Sequence, residues 1–343
     1  MVKEAIGTSP EEPTMKRWSR CLARVICLWW LCPCLSYAQQ TNILWNEPTP
    51  PDDFDRMLEW GAGAPWNGLP EGIFIGKMKD GKPTGQGTYS WPSGQVYVGE
   101  FKNGKPDGQG TLTWPSGQVY VGGFIDFTPD GQGTLTFPDG AKYVGGFKAF
   151  KYDGRGTLTW PDGRTYVGDF KGDRRNGQGT LTWPDGARYV GGFQDDKFNG
   201  QGTKTWPDGQ TYVGEFRGGQ ENGEGTYTWP DGRKYVGGFK NGHLNEQATY
   251  TFANGSRYEG QFRDDQYDGQ GDFRFADGRQ YIGQFKDSKY DGQGDFRFPD
   301  GRKYIGQFKG GKRDGTGKMT YPDGRVEEGI WKDGKFLGAS ASP

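Results

Sequence analysis

Residues 97–119 read YVGEFKNGKPDGQGTLTWPSGQV, and this stretch decides the fold. Its opening, Tyr97-Val98-Gly99-Glu100-Phe101, alternates in the manner of a half-buried strand. From Asn103-Gly104 through Asp107-Gly108 the residues are those of turns, with glycine supplying positive φ. Thr111-Leu112-Thr113-Trp114 reads as a second strand, β-branched and aromatic. Pro115-Ser116-Gly117, elsewhere Pro-Asp-Gly as in Pro161-Asp162-Gly163, fits a type I turn followed by a left-handed residue. The stretch is a β-hairpin whose closing turn leads into the next copy. If Trp114 and Gln118 flank that turn, Leu112 pairs with Tyr120 and Thr113 with Val119. Cross-strand partners share a face. Leu112, Trp114, Tyr120 and Phe124 therefore project from one side, and Thr111, Thr113, Val119 and Val121 from the other.

The copies follow one another without a gap. Tyr97, Tyr120, Tyr143, Tyr166, Tyr189, Tyr212, Tyr235, Tyr258, Tyr281 and Tyr304 stand 23 residues apart, with Phe74 one period before and Glu327 one period after. Such constancy means that each unit makes the same contact with its neighbour. The predicted fold is all-β: an elongated single-layer antiparallel β-meander, a repeat sheet of about twelve 23-residue β-hairpin units over residues 73–338.

The tandem pattern Y-x-G-x-F-x-x-G-x-x-x-G-x-G resembles the MORN (membrane occupation and recognition nexus) repeat, across most of residues 73–338. The resemblance implies a single sheet of hairpins, a role in protein contacts and, as proposed for some members, binding of membrane phospholipid. Where such repeats accompany a lipid kinase or a methyltransferase, the catalytic domain is separate. This chain leaves no room for one.

Composition agrees with many short strands. Glycine accounts for 62 of 343 residues, 15% are aromatic and the mean hydropathy is −0.90, too polar for a large globular core and too aromatic for a disordered tail. The net charge is −1 with both signs interspersed, which argues against nucleic acid as a partner. Lys16, Arg17, Arg20 and Arg24 precede an apolar run at residues 25–35, and Ser36-Tyr37-Ala38 offers a small-x-small cleavage site. Residues 1–38 are read as a signal peptide, with Met15 an alternative start. Cleavage near Ala38 would begin the mature protein at Gln39, in the periplasm or outside the cell, as a secreted bacterial-type member of the family. All four cysteines, Cys21, Cys27, Cys32 and Cys34, fall inside that signal, so no thiol chemistry is expected of the mature chain. Residues 39–72 are read as a Pro-rich linker and N-terminal cap over the first sheet edge, with a short helix at residues 52–60 whose alternative role is to bind a partner. Residues 339–343 are a tail.

Catalytic material is scarce. With one histidine and no mature cysteine, triad and zinc arrangements have no supply of groups. The Pro-Asp-Gly aspartates recur as turn residues, and the Gly-x-Gly pairs precede strands, not a helix. The chain is read as a non-enzymatic scaffold with no cofactor or metal. Its partner would be an envelope or secreted protein, or a second copy of itself. The alternative is a surface for polysaccharide or phospholipid headgroups on the aromatic face, through Trp91, Trp114, Trp160, Trp183, Trp206 and Trp229 with Tyr97, Tyr120, Tyr143, Tyr166, Tyr189, Tyr212 and Tyr235; against it stands the reading that the tryptophan rings pack on one another and only hold the sheet together. A basic cluster of Lys303, Lys309, Lys312, Arg313 and Lys318 is the one local attraction for anionic lipid.

Unit eight, residues 235–257, breaks the pattern. It carries Glu246-Gln247-Ala248 for Gly-x-Gly, Ala253-Asn254-Gly255 for Pro-Asp-Gly, and His243. Because Glu246 and Ala248 lack glycine's freedom, the expectation is a different backbone path or a longer loop around residues 241–248, and hence a hinge.

Overall fold

The computed structural model describes residues 72–339. The expected signal peptide, the linker and cap through residue 71, and residues 340–343 lie outside these described residues. Among the described residues there is no helix, and 24 strands follow in chain order as a short strand then a long one. The first pair is Ile73–Lys79 with Lys82–Ser90; the last is Val326–Lys332 with the four-residue Lys335–Gly338. Each strand pairs antiparallel with its sequence neighbours, so the sheet is one open meander.

The Pro-x-Gly turn forms as its sequence implies. Gly117 N–H donates to the Trp114 carbonyl at 2.9 Å, Trp114 N–H to Gln118 at 3.0 Å, and Gly117 takes φ +91°. Leu112 faces Tyr120 and Thr113 faces Val119. Where aspartate holds the middle position its carboxylate closes the turn. Asp162 Oδ1 accepts the Arg164 N–H at 3.0 Å, and Asp185, Asp208 and Asp277 do the same for the residue two further on.

The other turn is shorter than its sequence suggested. Only Asn103-Gly104 turns, with φ of 51° and 89° and Lys102 facing Lys105, the geometry of a type I′ hairpin. The strands are correspondingly longer, Val96–Lys102 and Lys105–Thr113 in place of residues 97–101 and 111–114. Pro106 faces Phe101 while Gly110 faces Gly99, so the long strand accommodates its surplus residues in a bulge, with Gly108 at φ +111°. A bulge and a turn both call for left-handed backbone, which is why Asp107-Gly108 read as turn.

The second glycine of Gly-x-Gly answers a different need. A Cβ at Gly110 would lie 2.3 Å from Cε2 of Tyr97, whose ring crosses that strand. Unit eight nevertheless keeps the common path, contrary to the expected rerouting. Ala248 faces Gly237, Leu244 faces Phe239 and His243 faces Lys240, the register of the other hairpins. Glu246 adopts φ +64°, beside +63° for Gly223 one unit earlier. Left-handed backbone costs a non-glycine residue about 1–2 kcal/mol, and the ladders on both sides hold it there. At Ala248 the tyrosine adapts: the Tyr235 hydroxyl meets the carbonyls of Gly238 at 2.7 Å and Asn245 at 3.2 Å.

Candidate functional site

The aromatic face is one connected stack. Tyr97 meets Phe101 edge-on at 5.2 Å and Phe124 of the next unit at 4.9 Å; Tyr120 repeats this with Phe124 and Phe147. The linkage runs unbroken from Phe74 to Trp331. Each hydroxyl donates to the carbonyl three residues on, as Tyr97 does to Glu100 and Tyr120 to Gly123, both at 2.9 Å. Burial raises the phenol pKa along the row, to about 12 at Tyr304, where Arg313 opposes the rise.

Tyr97, Tyr120, Tyr143, Tyr166, Tyr189, Tyr212 and Tyr235 are 0% exposed. Their expected share in a binding face gives way here: rings sealed between phenylalanines and backbone have no surface left for a ligand. They are the core. The tryptophans lie nearer the surface. Trp160 and Trp229 are buried, whereas Trp91, Trp114, Trp183 and Trp206 are half-buried. Arginines from the same turns cover several rings, Arg164 over Trp160 at 5.2 Å and Arg233 over Trp229 at 5.0 Å. In later units Arg279 covers Phe275 and Arg302 covers Phe298.

Two buried charges in this face escaped the sequence reading. Lys204, 8% exposed, sits on the row of Leu158 and Leu181, opposite Tyr212, with Nζ 4.6 Å from the centre of the Trp206 ring. Glu221, 7% exposed, faces Phe216. A lysine on a leucine row was the available signal.

The opposite face divides at the seam. Cross-strand neighbours from Thr88 to Thr249 form a row of alternating threonine and valine. Its valines are open to solvent, from 36% at Val190 to 51% at Val98 and Val213. Beyond unit eight the row continues Glu259, Asp272, Ile282, Asp295, Ile305, Lys318 and Glu328, and ion pairs flank its acids: Arg274 with Asp272 at 2.9 Å and Arg297 with Asp295 at 3.1 Å. The C-terminal basic cluster is largely engaged. Lys303, Lys312 and Lys318 pair with Asp295, Asp333 and Glu328, and Arg313 lies over Trp331 at 4.5 Å. His243 Nδ1 meets Asp265 Oδ2 at 2.7 Å. Among the described residues no group of histidine, cysteine and acidic side chains could hold a metal ion, and no helix is long and apolar enough to cross a membrane.

These features define a class: a tandem β-hairpin repeat protein with one aromatic and one polar face. The MORN repeat model matches eleven segments, 74–96, 97–119, 120–142, 143–163, 166–188, 189–211, 212–232, 235–257, 258–278, 281–301 and 304–324, and the chain belongs to the MORN repeat family. No curated protein matches it. Among solved structures it is similar to the SAS-4 TCP domain of Drosophila melanogaster in complex with a proline-rich motif of Ana2 (14% identity, 51% of this chain and 94% of that, TM-score 0.30). It is also similar to the TCP10 domain of Danio rerio CPAP (16%, 72% and 98%, TM-score 0.19) and to virginiamycin B lyase from Staphylococcus aureus (9%, 76% and 89%, TM-score 0.14). At such scores nothing is carried over from these proteins.

Proposed function

We propose that this MORN-repeat chain is a non-catalytic, exported interaction scaffold whose contact surface is the threonine–valine row. The observation that carries the reading is a row of exposed valines without a charged member, in a protein of which 25% is charged. Crossing fifteen strands at about 4.8 Å each, the row is about 70 Å long, a line of contact for an extended partner surface. A neutral face of this kind suits another exported protein or a second copy of the chain. Val121→Glu, Val167→Glu and Val213→Glu together test it, since these side chains touch solvent and the core is spared. Sedimentation and crosslinking should show loss of self-association or of the partner adduct. Unchanged adducts in the triple variant would remove this face from consideration. N-terminal sequencing tests export: Gln39 is expected at the start of the mature protein, and an intact Met1 or Met15 would overturn it.

The half-buried Trp91, Trp114, Trp183 and Trp206 favour a second reading, polysaccharide or phospholipid headgroups on the aromatic face. Tryptophan emission titrated with soluble polysaccharide or anionic vesicles, with and without Trp183→Ala, separates it from the first.

A further inference from the structure

Residues 91–96 and 114–119 are the same six residues, WPSGQV. They make the first two Pro-x-Gly turns, which differ from the later ones in charge. From Phe137 onward the middle place holds aspartate, Asn254 in unit eight excepted, and arginine closes five of those turns. Each such arginine lies over its own turn's ring, as Arg164 does over Trp160 at 5.2 Å and Arg325 over Tyr321 at 3.6 Å. In the first two turns serine and glutamine replace the charged couple. Ser93 Oγ donates to Gln95 Oε1, and Ser116 Oγ to Gln118 Oε1. Each amide keeps its N–H groups as donors, beside a half-buried ring, Trp91 or Trp114. The two turns also touch, since Pro115 Cγ lies 2.9 Å from where Gly94 would carry a Cβ. The turn of unit eight is uncharged too, but its Phe252 is only 5% exposed.

Behind Trp114 stands a strained residue. Phe150 takes φ +66° in its hairpin turn, its N–H donates to the Pro129 carbonyl at 2.9 Å, and its ring meets Trp114 at 5.7 Å. Phe127, at the same place one unit earlier, takes φ +73°, donates to Pro106 at 3.0 Å and is buried. In the other units that place holds glycine, aspartate or serine. Bulky side chains avoid left-handed backbone, and such outliers gather where a ligand is clamped. Two occur here in succession, and one of them fixes a ring of the uncharged turns.

We propose that these twin turns bind an uncharged polysaccharide, with sugar rings on Trp91 and Trp114 and sugar hydroxyls accepting from Gln95 and Gln118. A fixed aromatic ring beside amide and hydroxyl groups is the chemistry that recognises a sugar, whose C–H face stacks while its hydroxyls hydrogen-bond. Equivalent positions lie two strand spacings apart, roughly 9.6 Å, so rings of one extended chain can reach both. A phospholipid headgroup carries a phosphate, and residues 91–95 and 114–118 hold no cation to meet it. The proposal rests on the second reading of the aromatic face and narrows it to one ligand and one place.

Electrophoresis of the full chain through native gels containing hydroxyethyl cellulose or dextran tests it, with flotation on phosphatidylglycerol vesicles as a third arm. At least one polysaccharide should retard the natural chain, and the vesicles should not carry it. Gln95→Glu with Gln118→Glu removes the donors without touching the core, and should weaken retardation about tenfold in apparent Kd while circular dichroism stays the same. Trp114→Ala should weaken it as well; because that change also removes a ring packed on Phe150, the glutamine pair is decisive. Full retardation of the glutamine pair together with loss in Trp183→Ala would leave the polysaccharide reading standing and overturn this site. No retardation of the natural chain in either gel would overturn both, and flotation on the vesicles alone would overturn the choice of ligand.

Discussion

Tyr166 shows what one residue contributes. Its ring touches Phe170 and Phe193 at 5.0 Å each, and its hydroxyl donates to the Asp169 carbonyl at 3.0 Å. Tyr166→Ala removes rings contacts on both sides and should destabilise the sheet by about 2–4 kcal/mol, whereas Tyr166→Phe forfeits one hydrogen bond, about 1 kcal/mol. Asp162→Ala loses only the turn contact to Arg164, again about 1 kcal/mol. Denaturant titration of the three variants checks this ranking; a larger loss for Asp162→Ala would relocate the core. The buried phenols also predict a pH response. Their folded pKa values lie above the unfolded 10.0, chiefly through desolvation, at about 12 for Tyr304. A raised folded value means that the stabilisation is complete below pH 10 and is lost as pH climbs from 10 through the folded values. Thermal unfolding should therefore move little as the solution passes neutrality and fall steeply above about pH 10, with tyrosinate absorbance appearing together with loss of the sheet.

The hairpin is where glycine acts, at two positions for two reasons. Gly108 supplies left-handed backbone in the bulge, and Gly110 leaves room for the Tyr97 ring. Unit eight isolates the first need. Glu246→Gly should stabilise the protein by about 1 kcal/mol by relieving its positive φ, and Gly223→Glu should cost a similar amount or more. Gly110→Ala should cost more than either glutamate exchange would restore, since the added carbon meets a ring already packed on both sides. Denaturant midpoints decide both comparisons. Because the register of unit eight is unchanged, amides of residues 249–252 should be protected from hydrogen exchange as well as those of residues 180–183. Much faster exchange in unit eight would restore the hinge.

Among the described residues the core rings link each unit to the next, and Trp114 also reaches Phe150 two units on, at 5.7 Å, so energies should couple locally and add at longer distance. Tyr166 and Phe193 are in contact, and a double-mutant cycle between them should give an interaction of about 0.5–3 kcal/mol. Tyr166 and Tyr258 lie four units apart and should be additive within about 0.5 kcal/mol. Coupling of the distant pair would mean that strain travels along the stack. The ion pairs on the C-terminal half are exposed ones, such as Arg274 with Asp272, so added salt should leave the unfolding midpoint nearly unchanged.

The amino-acid sequence by itself determined the 23-residue unit, the Pro-x-Gly turn, the pairing of Leu112 with Tyr120 and the two faces, because strand alternation and turn chemistry are local properties of the chain. It could not separate a two-residue turn from a bulge at residues 103–108, since both demand left-handed backbone. Nor could it tell that the tyrosines of the candidate binding face are sealed, because the phenylalanines that cover them arrive from the next unit. Glu246 and Ala248 read as a break in the path and proved compatible with it, and the same seam separates an uncharged outer row from one in which charged residues alternate with isoleucine. Those outcomes belonged to the tertiary structure: burial and backbone strain at each position are set by the strands on either side.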